Sequence, residues 1–244
     1  FITAPATTIG KQHLANWFNA HLENKAAIDH RQEAIRELST DLEYRQQIRL
    51  LGLLYKGKPA DTTEIKEWAA SPSYYRKRTL LRILPIAVTV INFLCISLAI
   101  LGIISANIAG GVFVSFVLFS TIFSKGITKL QTTYGEKLQI LSTYADQILL
   151  TEQKEMHSHI LQELKTDLTS QNQTASQAVR QLSKLMNALD QRSNLLMSTI
   201  LNGLIFWELR QVMRIEKWKE IHASDLPRWI ETIGEIDAYC SLAT

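Results

Sequence analysis

The chain has 244 residues, 46% of them apolar and 20% charged, which is too apolar for a disordered tail and long enough for one large or two small domains. A formal net charge of +3 is too small to argue for nucleic acid, since a dedicated binder usually concentrates its basic residues on one face, so composition is neutral on DNA. Two cysteines, Cys95 and Cys240, without CxxC spacing exclude a disulfide framework and fit a reducing, cytoplasmic compartment.

In chain order, Thr7 or Thr8 can cap a first helix on which Leu14, Trp17, Phe18 and Leu22 recur at spacings of three and four. The same stretch, Ala4 to Gln12, holds the Gly10-Lys11 pair of a phosphate loop. Pro5 stands where the first glycine belongs and Gln12 where Ser or Thr belongs, so it reads as an ordinary helix start without a nucleotide site. A second amphipathic helix runs from about Lys25 to Leu38, with Ile28, Ile35 and Leu38 on one stripe and Arg31 among them. A buried arginine needs a partner, and Glu235 and Asp237 are the candidates.

From Ile83 to Ser124 the chain carries no charge and is rich in Ile, Leu, Val, Phe and Ala, interrupted by Asn107 to Gly111. Each half approaches the roughly 20 residues that a helix needs to cross a bilayer, so the run reads as a transmembrane hairpin turning at Asn107 to Gly111. The second half, Val112 to Ser124, is short unless it borrows residues from the turn. Arg76, Lys77, Arg78 and Arg82 precede the run, and Lys125 and Lys129 follow it, which leaves both ends in the cytoplasm. Tyr74 and Tyr75 fit an interfacial belt. The competing readings are a water-soluble hairpin buried in a core or dimer interface, and a nucleic-acid role for the Tyr-Tyr-Arg-Lys-Arg cluster.

No proline lies between Pro85 and Pro227 and no glycine between Gly135 and Gly203, which permits long helices. Tyr134, Leu138, Leu141, Ala145 and Ile148 form one seam, and Leu182, Leu185, Leu189, Ser193, Leu196 and Ile200 a second. These predict two long antiparallel helices, with a break in Thr166 to Thr174. The later one, read as continuous from about Thr174 to His222, would extend on the order of 70 Å. His157 and His159 lack further ligands for a metal site. The last helix opens near Pro227, and the carboxylates at Asp225, Glu231, Glu235 and Asp237 read as a capped, exposed helix. Leu226, Ile230, Ile233 and Cys240 form its apolar stripe, which is expected to pack on the first two helices.

Two segments carry a family resemblance. Thr8, Gly10, Lys11, Leu14, Trp17, Leu22, Ile28, Arg31, Ala34, Ile35 and Leu38 match the start of the core and lever region of the MutS family of DNA mismatch-repair ATPases. Near the other end, Asp237 followed after two positions by Cys240-Ser241-Leu242-Ala243 resembles the segment that returns from the lever in that family. The resemblance covers roughly residues 1 to 55 and 175 to 244. It implies an all-α fold, with a short-helix core, two long antiparallel lever helices and, peculiar to this chain, the apolar hairpin.

The corresponding division is 1–72 for the first part of the core, 73–130 for the hairpin, 131–222 for the lever helices and 223–244 for the returning helix. The family's ATPase domain would follow Thr244, so the chain is expected to be a fragment with no cofactor of its own, whose parent binds ATP and Mg. Expected partners are that ATPase domain in cis, the inner (cytoplasmic) membrane, a second copy of the chain, and DNA. No β-rich clamp of the kind that touches DNA in the family is legible here. Arg31, Trp17, Glu235 and Asp237 are the structural and coupling candidates, and no catalytic residue is expected in this segment. The rival is a membrane-anchored helical scaffold or adaptor that has no ATPase and binds partners along the coiled surface of residues 130 to 220.

Overall fold

The structure, a computed structural model, describes residues 4–20, 22–54, 62–139, 141–169, 174–190 and 195–244. The described residues form α1 (Thr8–Asn19), α2 (Lys25–Ser39), α3 (Leu42–Leu54), α4 (Thr62–Ala70), α5 (Thr79–Ile100) and α6 (Ala106–Gln139). They continue with α7 (Leu141–Gln153), α8 (His159–Asp167), α9 (Ala175–Asp190), α10 (Leu195–Ile205), α11 (Trp207–His222) and α12 (Leu226–Leu242). The fold is all-α, and the described residues contain no strand beyond an isolated bridge between Thr169 and Thr174. The chain divides into two compact units, one of Phe1–Ala69, Lys137–Ser183 and His222–Thr244, the other of Ala70–Glu136 and Lys184–Ile221.

In the first unit, helix starts are closed by side chains that take up their orphan N–H groups. Thr7 Oγ1 accepts from Gly10 N at 3.0 Å and Asn24 Oδ1 from Ala26 N at 2.9 Å. At α8 and α9 the acceptors come from other helices. Glu37 on α2 accepts from His157 N and Ser158 N at 2.9 and 2.6 Å, and Glu152 on α7 accepts from Ser176 N at 3.1 Å. A carboxylate at a helix N-terminus also meets the positive end of the helix dipole.

α12 is the central helix of this unit, with α1, α2, α3, α7 and α8 packed on it. Leu226, Trp229, Ile230, Ile233, Ile236, Tyr239 and Cys240 are buried, so its apolar stripe lies where the sequence places it. The N-terminal helices differ from expectation. Leu14, Trp17 and Ile35 are only half-buried, Ile28 is exposed and Phe18 is 59% exposed, whereas Ile9 and Gly10 are buried. The reason is a close approach at Gly234, where an added Cβ would lie 2.0 Å from Ile9 Cγ2. α1 is therefore buried through its first turn rather than along the Leu14 to Phe18 stripe.

The seam helices run antiparallel where both are described in this unit. Asp146 on α7 accepts from Arg180 Nη2 on α9 at 2.7 Å, and Glu152 from Ser176 Oγ at 2.5 Å, so residue numbers rise on one helix as they fall on the other. Leu141, Ala145, Ile148 and Leu182 are buried. The side chains of Tyr134, Leu138 and Ser193 lie outside the described residues. Leu196 and Ile200, placed in the seam by their spacing, are exposed.

In the second unit α5 and α6 form the hairpin. Thr79–Ile100 and Ala106–Ser124 are both long and apolar enough to cross a membrane, with mean hydropathies of 2.5 and 1.9. The turn is not at Asn107 to Gly111. The chain reverses at Leu101 to Ser105, with Gly102 at φ 74°, and Gly110 and Gly111 lie inside α6. A turn at Asn107 would leave Val112 to Ser124 too short for about 30 Å of hydrocarbon, and the earlier turn lengthens the second span by lending it those residues.

The expected continuous helix from Thr174 to His222 is interrupted at Phe206, the one described non-glycine residue with positive φ, at 51°. A left-handed residue of this kind costs roughly 1–2 kcal/mol. Its ring is buried and meets Phe116, Phe119 and Phe123 edge-on at 6.1 to 6.4 Å, which offsets that cost. Asn202 secures the break, its carbonyl accepting from Phe206 N and its Oδ1 from Glu208 N at 3.0 Å. No glycine or proline marks this position, so composition could not reveal it.

Candidate functional site

The residues singled out by sequence converge on α12, with Asp237 on one face and Glu235 on the other. Asp237 is 2% exposed and accepts from Thr7 N and Thr7 Oγ1, each at 2.7 Å, and from Ala6 N at 3.3 Å. The carboxylate thus fastens the start of α1 to the end of the chain. Burial pushes its pKa up, opposed by the Thr7 and Ala6 donors. The acidic residues of α12 are consequently not a solvated face. Asp237 is buried, and Glu231 and Glu235 are half-buried.

The ion pair expected between Arg31 and Asp237 or Glu235 does not form. The Asp237 oxygens are occupied by the N-terminal backbone, and the Arg31 guanidinium lies over the Trp17 ring, 4.5 Å from its centroid. The Trp17 ring in turn sits 4.5 Å from that of Tyr239. A cation on an aromatic face is a stabilising contact that needs no carboxylate. Glu235 contributes at longer range. Burial raises its pKa, while the charges of His13 and Arg31 draw it down. Trp17, Arg31 and Tyr239 therefore form a stack, and Asp237 with Thr7 a separate clasp, both on α12.

A third contact lies one turn before Glu235 on the same side of the helix. Glu231 accepts from Lys66 Nζ at 2.5 Å and His13 Nε2 at 3.0 Å; burial raises its pKa, but these two donors outweigh it and leave it lowered. Beside the clasp lies a cavity of about 300 Å³, lined in part by Arg45, Arg49, Asp237, Cys240 and Ser241. Burial raises the Cys240 thiol far above the usual thiol range, so it is a packed side chain rather than a nucleophile. Gly10 N and Lys11 N are engaged by Thr7, which makes the Gly-Lys pair part of a capped helix start. His157 precedes α8 and is exposed, and among the described residues no cluster of three metal-ligating side chains occurs.

The second unit has a comparable fastening that sequence reasoning missed. Glu216 on α11 accepts from Tyr74 N, Tyr75 N and Arg76 N at 2.8, 3.1 and 2.6 Å, and Lys219 donates to Ser71 O and Oγ at 2.7 and 2.9 Å. These bonds fix the segment that leads into α5. Arg210 donates to Pro85 O, Thr89 Oγ1 and Ile205 O, joining the first span to the end of α10. Glu216 and Arg210 occur in a helix of mixed charge, where nothing in the spacing distinguishes a buried anchor from a solvated residue.

Compared with protein families, curated proteins and solved structures, the chain matches none.

Proposed function

We propose that this chain is the helical core and lever region of a MutS-like ATPase, anchored in the cytoplasmic membrane by the α5–α6 hairpin. Its work is mechanical coupling. Nucleotide-driven motion of an ATPase domain following Thr244 enters through the end of α12 and passes along the longer helices to a distal partner, DNA or protein. ATP and Mg belong to that following domain.

The observation that carries this reading is the packing of α1 against α12. The two segments that bear the resemblance lie at opposite ends of the sequence, yet Asp237 holds the backbone of Ala6 and Thr7, and Gly234 admits Ile9. One core that both opens and closes a long excursion is the arrangement a lever requires. The outward apolar faces of α5 and α6 support the anchor, since a soluble helix pair of that composition would bury them.

The decisive test is the coding sequence after Thr244. The expected result is a strand, a GxxxxGK[ST] loop and a helix, the parts that cradle nucleotide phosphates. An open reading frame that stops or continues without them overturns the ATPase reading and leaves the membrane-anchored scaffold.

A further inference from the structure

Within the second unit, α5, the segment before it and the α10–α11 junction line an open cavity of about 330 Å³. Arg76, Arg82, Arg210, Arg214 and Lys217 line it, and no acidic residue does. The rest of the wall is largely apolar, including Pro85, Ile86, Ile205 and Trp207. Two features make this more than a basic flank. Arg210 is held by Pro85 O, Thr89 Oγ1 and Ile205 O, all neutral acceptors, so its charge is positioned without being compensated. Arg82, Arg214 and Lys217 are exposed, and no described carboxylate pairs with them, whereas Arg76 is paired with Glu220 at 2.6 Å.

The cavity also sits at a defined level of the helix. Arg82 is the last charged residue before the uncharged run that begins at Ile83, and Ile86, one turn after Arg82, is 60% exposed. Cationic side chains on one rim and apolar ones on the other match an amphiphile whose charged end is an anion. We propose that this cavity binds the phosphate group of an anionic phospholipid, with Arg82, Arg210, Arg214 and Lys217 around the headgroup and Ile86 and Trp207 along the start of an acyl chain. The proposal rests on the membrane-anchor reading of α5 and α6 and adds to it a specific lipid class.

The test reconstitutes the full chain in phosphatidylcholine vesicles with and without phosphatidylglycerol and measures phosphatidylglycerol retained after extraction. Two variants with the same loss of charge are compared: Arg214→Gln with Lys217→Gln in the cavity, and Lys77→Gln with Arg78→Gln on the flank outside it. General attraction to an anionic surface amounts to about fivefold per basic side chain, so it predicts equal losses of roughly 25-fold for both pairs. The expected result is a loss for the cavity pair about tenfold beyond that of the flank pair, because the cavity side chains converge with Arg210 on one phosphate, whereas flank side chains meet the surface singly. Equal losses, or retention unaffected by the cavity pair, overturn the proposal. Displacement of the lipid by excess inorganic phosphate also overturns it, by assigning the cavity to a free phosphate species. Carbonate extraction reads hairpin insertion separately. A chain released as soluble refutes the anchor and the lipid site together, whereas an inserted chain without selective retention refutes the lipid site alone.

Discussion

The first unit and the hairpin of the second sort their apolar side chains in opposite directions. In the first, Trp229, Ile233 and Tyr239 are buried, and buried carboxylates such as Asp237 have a full set of donors. In the second, Leu80, Val90, Leu118 and Ile122 of the hairpin face outward, while Asn92 of α5, Asn202 of α10 and Glu208 of α11 are buried. Asn92 Nδ2 donates to Val88 O, Gly203 O and Leu204 O at 3.0 to 3.3 Å, and Glu208 accepts from Ser198 Oγ at 3.1 Å. One rule yields both patterns, namely that each unit hides what its surroundings reject. Outward apolar faces are expected where the surroundings are hydrocarbon, and a polar group there must find its partners inside the protein.

The largest expected effect tests the packing of the first unit by its sign. In an exposed helix interior, Gly→Ala stabilises by up to about 1 kcal/mol. At Gly234 the new Cβ would meet Ile9, and overpacking of this kind costs about 1–3 kcal/mol, so Gly234→Ala is expected to destabilise. In α6, Gly110 has nothing near its would-be Cβ, and Gly110→Ala is expected to be neutral or stabilising. Denaturant melts of the two variants, each with and without Ile9→Ala, read the contrast. Ile9→Ala should remove part of the penalty at Gly234, because the Cγ2 contact goes but the Cβ of residue 9 stays 2.7 Å from the new one, and should change nothing at Gly110. Equal penalties at Gly234 in both backgrounds would show that α1 and α12 do not meet there.

A smaller effect probes the inverted polarity of the second unit. Asn92→Leu removes the donor that three backbone carbonyls share and is expected to cost about 0.6–2 kcal/mol, the range for polar contacts between membrane helices. Hydrogen exchange in detergent micelles should rise in Leu195–Ile205. If Asn92→Leu instead stabilises the hairpin and leaves α10 protected, the buried amide is not what joins α5 to α10, and the contrast between the units weakens.

The sequence made the helical class, the hairpin and the apolar stripe of α12 legible because each is a periodic or compositional signal. The first cap was legible too, since Thr7 has few other uses before an amphipathic run. What escaped was decided by single long-range contacts. Arg31 was assigned a carboxylate on charge alone, but Asp237 was already taken by a backbone that arrives from the other end of the chain, and Trp17 supplied a different partner. The break at Phe206 depends on three phenylalanines of α6, which local propensity does not register. The hairpin turn moved because span length outweighed the glycine pair at Gly110 and Gly111.

The smallest expected effect is a pH profile confined to the first unit. Two groups of carboxylates there pull in opposite directions. Burial raises Glu235 and Asp237, so the stability they contribute is fully present only below the ordinary carboxylate range and is lost as pH rises through their raised values. Glu37, Asp41 and Glu231 lie below their ordinary values. For Asp41 the Lys154 hydrogen bond is the main cause, and for Glu37 and Glu231 burial opposes the shift but the donors prevail. Their contribution is present above the ordinary carboxylate range and is lost as pH falls through their lowered values. Lowering the pH from neutral should therefore first stabilise the unit slightly, as Glu235 and Asp237 take up protons, and then destabilise it as the other three follow. Thermal melts across this range should show a maximum on the mildly acidic side. Glu235→Gln should raise stability at neutral pH and reduce the acidic gain, while Asp41→Asn should weaken only the later loss. Exchange in Thr79–Ile100 should stay level throughout, because that helix carries none of these carboxylates. A monotonic decline in the wild type would mean that the Thr7 and Ala6 donors outweigh burial at Asp237, and that the clasp is strongest fully ionised.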